Sequence, residues 1–366
     1  MAKIATNTEF SPLGLNSCKL CVGTTLLMLL AIVINPNTIS AQIAGGGYAE
    51  SYLLRNVNAR PISMAGAYTA IANDPSAIYY NPAGLASLTD RPNFSSMYTF
   101  LEYGRTHSSL AWGQNMMEDF GFGFGINNFT SGSFMARDIK GNPLGDRTAW
   151  QFSATAAGAY SLEFFSVGAS LKYLSNSLEG SGVRADGFGL DLGTKFNVMD
   201  LFTVGVSMQN IASMMFWNTE SEESNLLPYT VRAGVAMEFG LNENIYITRS
   251  TVSGELEEVY EPATRYILVG VDAVLTQHEN GPTVVLGVEA VPHEVIAFRG
   301  GLSVLGDDMN EYELFPMTIW GGGVSIRPDM EDFDLPFKMT IDYSISSDWL
   351  AKNRIAHTVS LNVELE

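Results

Sequence analysis

Phe188-Gly189-Leu190-Asp191-Leu192-Gly193-Thr194-Lys195-Phe196 is the stretch that decides the fold. Phe, Leu, Leu, Thr and Phe fall on one side of a period of two; Gly, Asp, Gly and Lys fall on the other. A period of two turns alternate side chains to opposite faces of a β-strand, and a helix cannot satisfy it. The same alternation recurs to the C-terminus. Phe202, Val204, Val206 and Met208 oppose Thr203, Gly205, Ser207 and Gln209, and Tyr229, Val231, Ala233, Val235 and Met237 oppose Thr230, Arg232, Gly234, Ala236 and Glu238. Met339, Ile341, Tyr343 and Ile345 oppose Thr340, Asp342, Ser344 and Ser346; Val359, Leu361, Val363 and Leu365 close the series against Ser360, Asn362, Glu364 and Glu366.

Any one such segment also fits a soluble β-sandwich. Taken together, the apolar faces are long, uniform and often aromatic, while the opposite faces carry Gly, Ser and charges of both signs. In lipid every backbone group must be paired within the structure, so a sheet spans only when it closes. Segments of about ten residues, apolar outward and polar inward, are the mark of such a barrel. The pattern predicts an all-β transmembrane protein: an antiparallel outer-membrane barrel of fourteen strands. They fall near 92–104, 106–115, 119–130, 148–161, 164–176, 185–198, 201–212, 228–239, 264–276, 282–291, 295–305, 317–327, 337–347 and 356–366. An even number brings both ends to the periplasmic side. Long loops are then expected outside, after the third, fifth, seventh and eleventh strands, and short turns inside, such as Ser161-Leu162-Glu163 and Val291-Pro292-His293. Residues 241–263 break this asymmetry, and are read as a docking insert or as unrecognised strands.

The N-terminus reads differently. Leu20 to Ile34 is almost wholly apolar, preceded by Lys3 and Lys19 and followed by Asn35-Pro36. This is the layout of a secretory signal peptide, and the run is short for a helical span of ~20 residues. Cleavage is expected after Ala41, giving a signal peptide over 1–41; an uncleaved anchor is the alternative. Cys18 and Cys21 lie before or within the apolar run, so cutting at either would leave that run on the mature chain, which argues against a lipoprotein. They are the only two cysteines, so the mature chain has no disulfide framework. A net charge of −19 excludes nucleic acid as a partner. Acidic runs such as Glu220-Ser221-Glu222-Glu223, Glu255-Leu256-Glu257-Glu258 and Asp329-Met330-Glu331-Asp332 read as solvated loops.

Residues 42–91 do not alternate, and are expected to form a short helical hatch in the lumen, ahead of a barrel over 92–366. Met64-Ala65-Gly66-Ala67-Tyr68-Thr69-Ala70-Ile71-Ala72 is small and apolar. Asp74 can cap a helix opening at Pro75, and Asn81-Pro82-Ala83-Gly84-Leu85 should end it. Met64, Gly66, Asp74, Tyr79, Asn81, Pro82 and Gly84 are the candidate hatch residues. Tyr68, Tyr79 and Tyr80 either pack the plug or line an apolar path. Glycines on the lumen face, as in Phe120-Gly121-Phe122-Gly123-Phe124-Gly125, make room for such a plug.

The run from Asn58 to Leu88, NARPISMAGAYTAIANDPSAIYYNPAGLASL, resembles the hatch segment of the PorV/PorQ family, a branch of the FadL-like outer-membrane barrels. Gly287-Val288-Glu289-Ala290, Ala297-Phe298-Arg299-Gly300-Gly301 and the run from Asn353 to Leu361 are similar too. The resemblance implies a fourteen-stranded barrel with an N-terminal hatch. It also implies a cargo-binding or structural role in type IX secretion or a related surface display, with secreted protein cargo or secretion machinery as partners. Its FadL-type relatives imply the alternative, passive transport of long-chain fatty acids or other hydrophobic small molecules. The Asn81–Leu85 motif resembles both branches.

No enzymatic chemistry is legible. His107, His278, His293 and His357 stand singly without ligand spacing, and no nucleophile elbow occurs; no metal or cofactor is expected. Lys172, Asp191, Lys195, Arg232, Glu238, Asp272, Glu289, Arg299, Arg327 and Asp342 fall on inward faces. Their mixed signs suggest salt bridges between plug and wall, with a channel lining as the alternative. Outer-membrane lipid is the remaining expected partner.

Overall fold

In a computed structural model, the structure describes residues 50–117, 119–198, 202–219, 224–242, 244–249, 256–261, 263–277, 281–304, 318–328, 335–348 and 354–365. The expected signal peptide, residues 42–49 of the hatch, the acidic runs around 220–223 and 329–332, and most of the eleventh-strand loop lie outside these.

Seventeen strands are described: β1 (Asn93–Phe100), β2 (Thr106–Met117), β3 (Phe120–Arg137), β4 (Pro143–Ser161), β5 (Phe165–Leu178), β6 (Arg184–Val198), β7 (Phe202–Trp217), β8 (Ser224–Asn225), β9 (Thr230–Gly240), β10 (Asn244–Arg249), β11 (Leu256–Glu261), β12 (Tyr266–Thr276), β13 (Thr283–His293), β14 (Ile296–Val304), β15 (Thr318–Ile326), β16 (Phe337–Ser347) and β17 (Ile355–Leu365). All but β8, β10 and β11 form one antiparallel wall of fourteen, each pairing with its neighbour in the ring. The ring closes where β1 pairs with β17 in unbroken register from Asn93↔Glu364 to Phe100↔His357. Closure removes the free edges that lipid could not satisfy.

The faces follow the sequence parity. Phe188 and Leu192 are exposed on the outside of β6, while Asp191 and Lys195 of the alternate face are buried. Val359 and Leu361 point outward from β17; Thr358 and Ser360 point in. The outward face of the wall exposes large apolar side chains, Leu, Phe and Val foremost, as a surface solvated by hydrocarbon does.

Two expected loops are largely strand. β3 and β4 run 18 and 19 residues and stay paired well beyond the wall, Phe134 facing Arg147 and Met135 facing Asp146, before turning at 138–142. β5 and β6 likewise continue into the segment read as a loop, reaching Leu178 and starting at Arg184. One rim is therefore higher on the β3–β7 side, whereas β1 and β14 have 8 and 9 residues. Residues 241–263 contain the strands β10 and β11, paired only with each other from Asn244↔Glu261 to Arg249↔Leu256. They stand on the opposite rim, where β1 begins and β17 ends. The expected turn at 291–293 is instead the end of β13: Pro292 sits in a register shift between Ala290 and His293, a bulge that tolerates its missing N–H.

β7 carries the deepest irregularity in the wall. Gln209, Asn210 and Ile211 together face Asp191, and Asn210 adopts φ 56°, a conformation asparagine tolerates better than most residues. Above this bulge β7 stays paired with β6 but leaves β9, whose pairing ends at Gln209↔Thr230, and on that edge meets the short β8.

Candidate functional site

The lumen is filled by residues 50–92, and the filling is built from short turns. A 3-10 turn over Ser51–Leu54 leads to α1 (Ala59–Ser63), α2 (Ala77–Tyr80) and a second 3-10 turn over Pro82–Ser87. The helix expected to open at Pro75 opens at Ala77; Asp74 accepts instead from the Ser76 N–H at 2.9 Å and from the Tyr68 hydroxyl at 2.5 Å, tightening the preceding turn. Asn81 ends α2 and caps the next turn, its Oδ1 accepting from the Ala83 N–H at 3.2 Å. Its Nδ2 donates to the carbonyls of Thr69 (2.9 Å) and Thr194 (3.0 Å), joining two parts of the plug to β6. Each polar atom of this buried side chain is thus occupied.

Backbone meets backbone where the wall offers glycine. A Cβ on Gly121 would lie 2.1 Å from the Leu85 carbonyl oxygen, one on Gly205 2.3 Å from that of Thr69, and one on Gly301 2.2 Å from the carbonyl carbon of Met64. No other residue fits these approaches. Met64 is buried between Gly287 and Gly301; Pro82 abuts Gly168 and Gly193; Gly84 approaches the Ala72 carbonyl; and Gly66 turns the chain at φ 96°.

Ionic contacts fix one side of the plug. Arg60 grips Glu289 with two hydrogen bonds of 2.8 and 3.0 Å and also reaches Tyr68 and Asn73. Glu289 is shared with Arg299, which in turn pairs with Asp342 at 2.9 Å. Tyr266 donates to Glu289 at 2.8 Å. Asp272 accepts from the N–H groups of Tyr68 and Thr69 and from the Thr69 hydroxyl, at 3.0, 2.9 and 2.6 Å. Arg232 donates to the Gly66 carbonyl at 2.9 Å and lies over the Tyr80 ring, and Lys195 donates to the Ala72 carbonyl at 3.0 Å. Lys172 and Asp191 pair at 2.8 Å and clasp the β7 bulge, Asn210 donating its N–H to Asp191 and accepting from Lys172 at 2.6 Å. Of the other two inward charges, Glu238 is exposed near the end of β9, and Arg327 is half-buried just past β15.

The three hatch tyrosines use their hydroxyls as ties. Tyr80 exchanges hydrogen bonds with Val57 N–H and C=O (2.8 and 2.9 Å), and the Tyr79 hydroxyl lies 3.1 and 2.9 Å from the wall carbonyls of Leu110 and Ile126.

At the rim opposite the start of β1 and the end of β17, the lining turns apolar. Tyr52 packs with Leu101, Phe129 and Ala356, and Leu53 packs against both that cluster and one of Leu174, Ala185, Met215 and Leu227. Leu227 reaches the lumen because the segment after β8 folds inward, its N–H donating to Ser213 at 3.1 Å. Arg55 ties this strap to the wall through Asp348 at 2.8 Å, with Arg105 on the other carboxylate oxygen at 2.5 Å. Burial opposes the charged Asp348, but the two arginines hold its carboxyl below the ordinary value. Below the strap a cavity of ≈ 30 Å³, measured to the centre of a water molecule, lies against Thr155, Lys172, Asp191 and Arg232; it has room for about two waters. Sequence reasoning missed Tyr52, Leu53, Arg55, Arg60 and Asp348, which stand in no alternating run, and Asn210, whose outward parity the β7 bulge reverses. Among the described residues no group of His, Cys, Asp or Glu could hold a metal ion.

No family model matches the chain, and no curated protein matches it by sequence. Among solved structures, the toluene transporter TodX of Pseudomonas putida is similar at a TM-score of 0.54 and 11% identity, over 85% of this chain and 98% of that one. The toluene transporter TbuX of Ralstonia pickettii gives 0.50 and 15% over 86% and 98%, and the monoaromatic hydrocarbon channel CymD gives 0.52 and 13% over 84% and 96%. At such identities the likeness is one of fold: a closed, fourteen-stranded antiparallel barrel.

Proposed function

We propose that the chain is a passive outer-membrane conduit for small hydrophobic molecules in a double-membraned bacterium, exported by the segment 1–41. The observation that carries this reading is the apolar outer mouth. Tyr52, Leu53, Leu101, Phe129, Leu174, Met215 and Leu227 face one another inside the barrel, where an aqueous pore would place polar groups. The fold shared with hydrocarbon transporters supports it. In the structure described, the strap over Ser51–Val57 fills this space, so passage requires its displacement.

The test is permeation through vesicles carrying the reconstituted chain, with toluene and a sugar of similar size as solutes. Faster entry of toluene alone, slowed by Leu174→Asp, is expected; equal acceleration of both solutes, or of neither, would sink the proposal.

A second reading, the cargo-docking role implied by the PorV/PorQ resemblance, is favoured by one feature. The projecting β3–β4 hairpin exposes Phe134, Met135, Ile139 and Leu144 above the wall. Co-purification of secreted proteins with a shared C-terminal domain, lost on shortening this hairpin, would support it.

A further inference from the structure

Six carboxylates are buried among the described residues, and five are well supplied. Asp191, Glu289, Asp342 and Asp348 each meet a cation within 2.8–2.9 Å, and Asp272 accepts three hydrogen bonds. Glu50 is the exception. Its partner is Asn176 on β5, whose Nδ2 donates to Glu50 Oε1. Glu50 Oε2 and Asn176 Oδ1 are both buried and both without a hydrogen-bond partner. A single proton satisfies both orphaned acceptors of this acid–amide pair. A proton on Oε2 donates to Oδ1 while Oε1 accepts from Nδ2, closing a ring of two hydrogen bonds. An ionised Glu50 leaves both oxygens unpaired with no counter-charge, at a cost typical of a buried carboxylate.

We propose that Glu50 and Asn176 form a proton-dependent latch on the strap across the outer mouth, closed while Glu50 is neutral and released when it ionises. Burial pushes the Glu50 carboxyl up to about 7, with the Asn176 hydrogen bond pulling the other way. The folded value is raised above the ordinary 4.5, so the strap's stability from this group is full below that value and is lost as pH rises through about 7. The surrounding groups do not supply the switch. Tyr52 lies on the strap itself; Lys172, two lumen positions below Asn176, is committed to Asp191 at 2.8 Å. β4 offers Ser153 and Thr155, and β6 and β7 offer Ala185 and Met215. At the strap's far end stand Arg55, Asp348 and Arg105, with His107 of β2 bonded to Asn127 at 2.6 Å.

The test reads the strap and not the solute, so it succeeds or fails independently of the transport proposal. In vesicle-reconstituted chain carrying Cys18→Ser and Cys21→Ser, Leu53→Cys is labelled with a membrane-impermeant maleimide between pH 5 and 8.5. Rates are normalised to Ile139→Cys, a fully exposed position. Relative labelling should rise about tenfold from pH 6 to 8. Glu50→Gln, which makes the same ring with an amide at every pH, should label slowly throughout; Glu50→Ala should label fast throughout. A flat profile for the parent, or a pH dependence that survives Glu50→Gln, would overturn the latch.

Discussion

Arg60 is the residue on which the plug most depends, because it carries its charge into the lumen and spends it on Glu289. Removing one member of a buried ion pair leaves the other uncompensated, at about 3–5 kcal/mol. Glu289 retains Arg299, so Arg60→Ala should fall toward the lower figure, read as a lowered urea midpoint for plug release by hydrogen exchange. Asn81→Leu removes an amide that serves three backbone groups, and should raise leakage of small dyes through the barrel. Unchanged permeability would remove Asn81 from the seal. At this scale the sequence was partly legible. Strand parity tells that Asp191, Asp272 and Glu289 face inward, because a period of two allows no other assignment. It cannot tell which plug atom each meets, since Arg60 lies 229 residues from Glu289 and in a segment with no period at all.

A strand of this wall has two unlike neighbours, hydrocarbon and plug, and substitutions on β7 should distinguish them. Val204→Arg puts a cation on the lipid face and should cost ~2–4 kcal/mol near the midplane. Gly205→Ala adds one methyl group on the other face, 2.3 Å from the Thr69 carbonyl oxygen, so the plug must shift. The first should impair insertion into vesicles, the second only the protection of plug amides; equal effects on insertion would contradict the assigned faces. Every wall strand was legible from its alternation, yet strand ends were not. Polar, glycine-containing runs such as 131–147 read as loop, but pairing across β3 and β4 holds them extended once the first ten residues are in register. The β10–β11 hairpin was illegible for the opposite reason, being short and outside the wall. Replacing 241–263 by a two-residue turn should leave the barrel folded, judged by its gel mobility before and after heating.

At the scale of the whole molecule, fourteen strands close around a segment that precedes all of them in the chain. The plug is tied to wall strands on every side, including the last: Asn58 donates to Asn362 at 3.2 Å, and Thr89 to Glu364 at 2.8 Å. β17 also seals the ring by pairing with β1. These contacts impose an order in time. A wall that closed empty would have to be threaded afterward through its own mouth, past side chains already in place. Filling and closing must therefore be a single event, in which the part of the barrel made earliest waits, loosely held, for the strand made last. Whatever helps this chain into its membrane has to keep the growing sheet open until its cargo, the segment ahead of β1, is aboard.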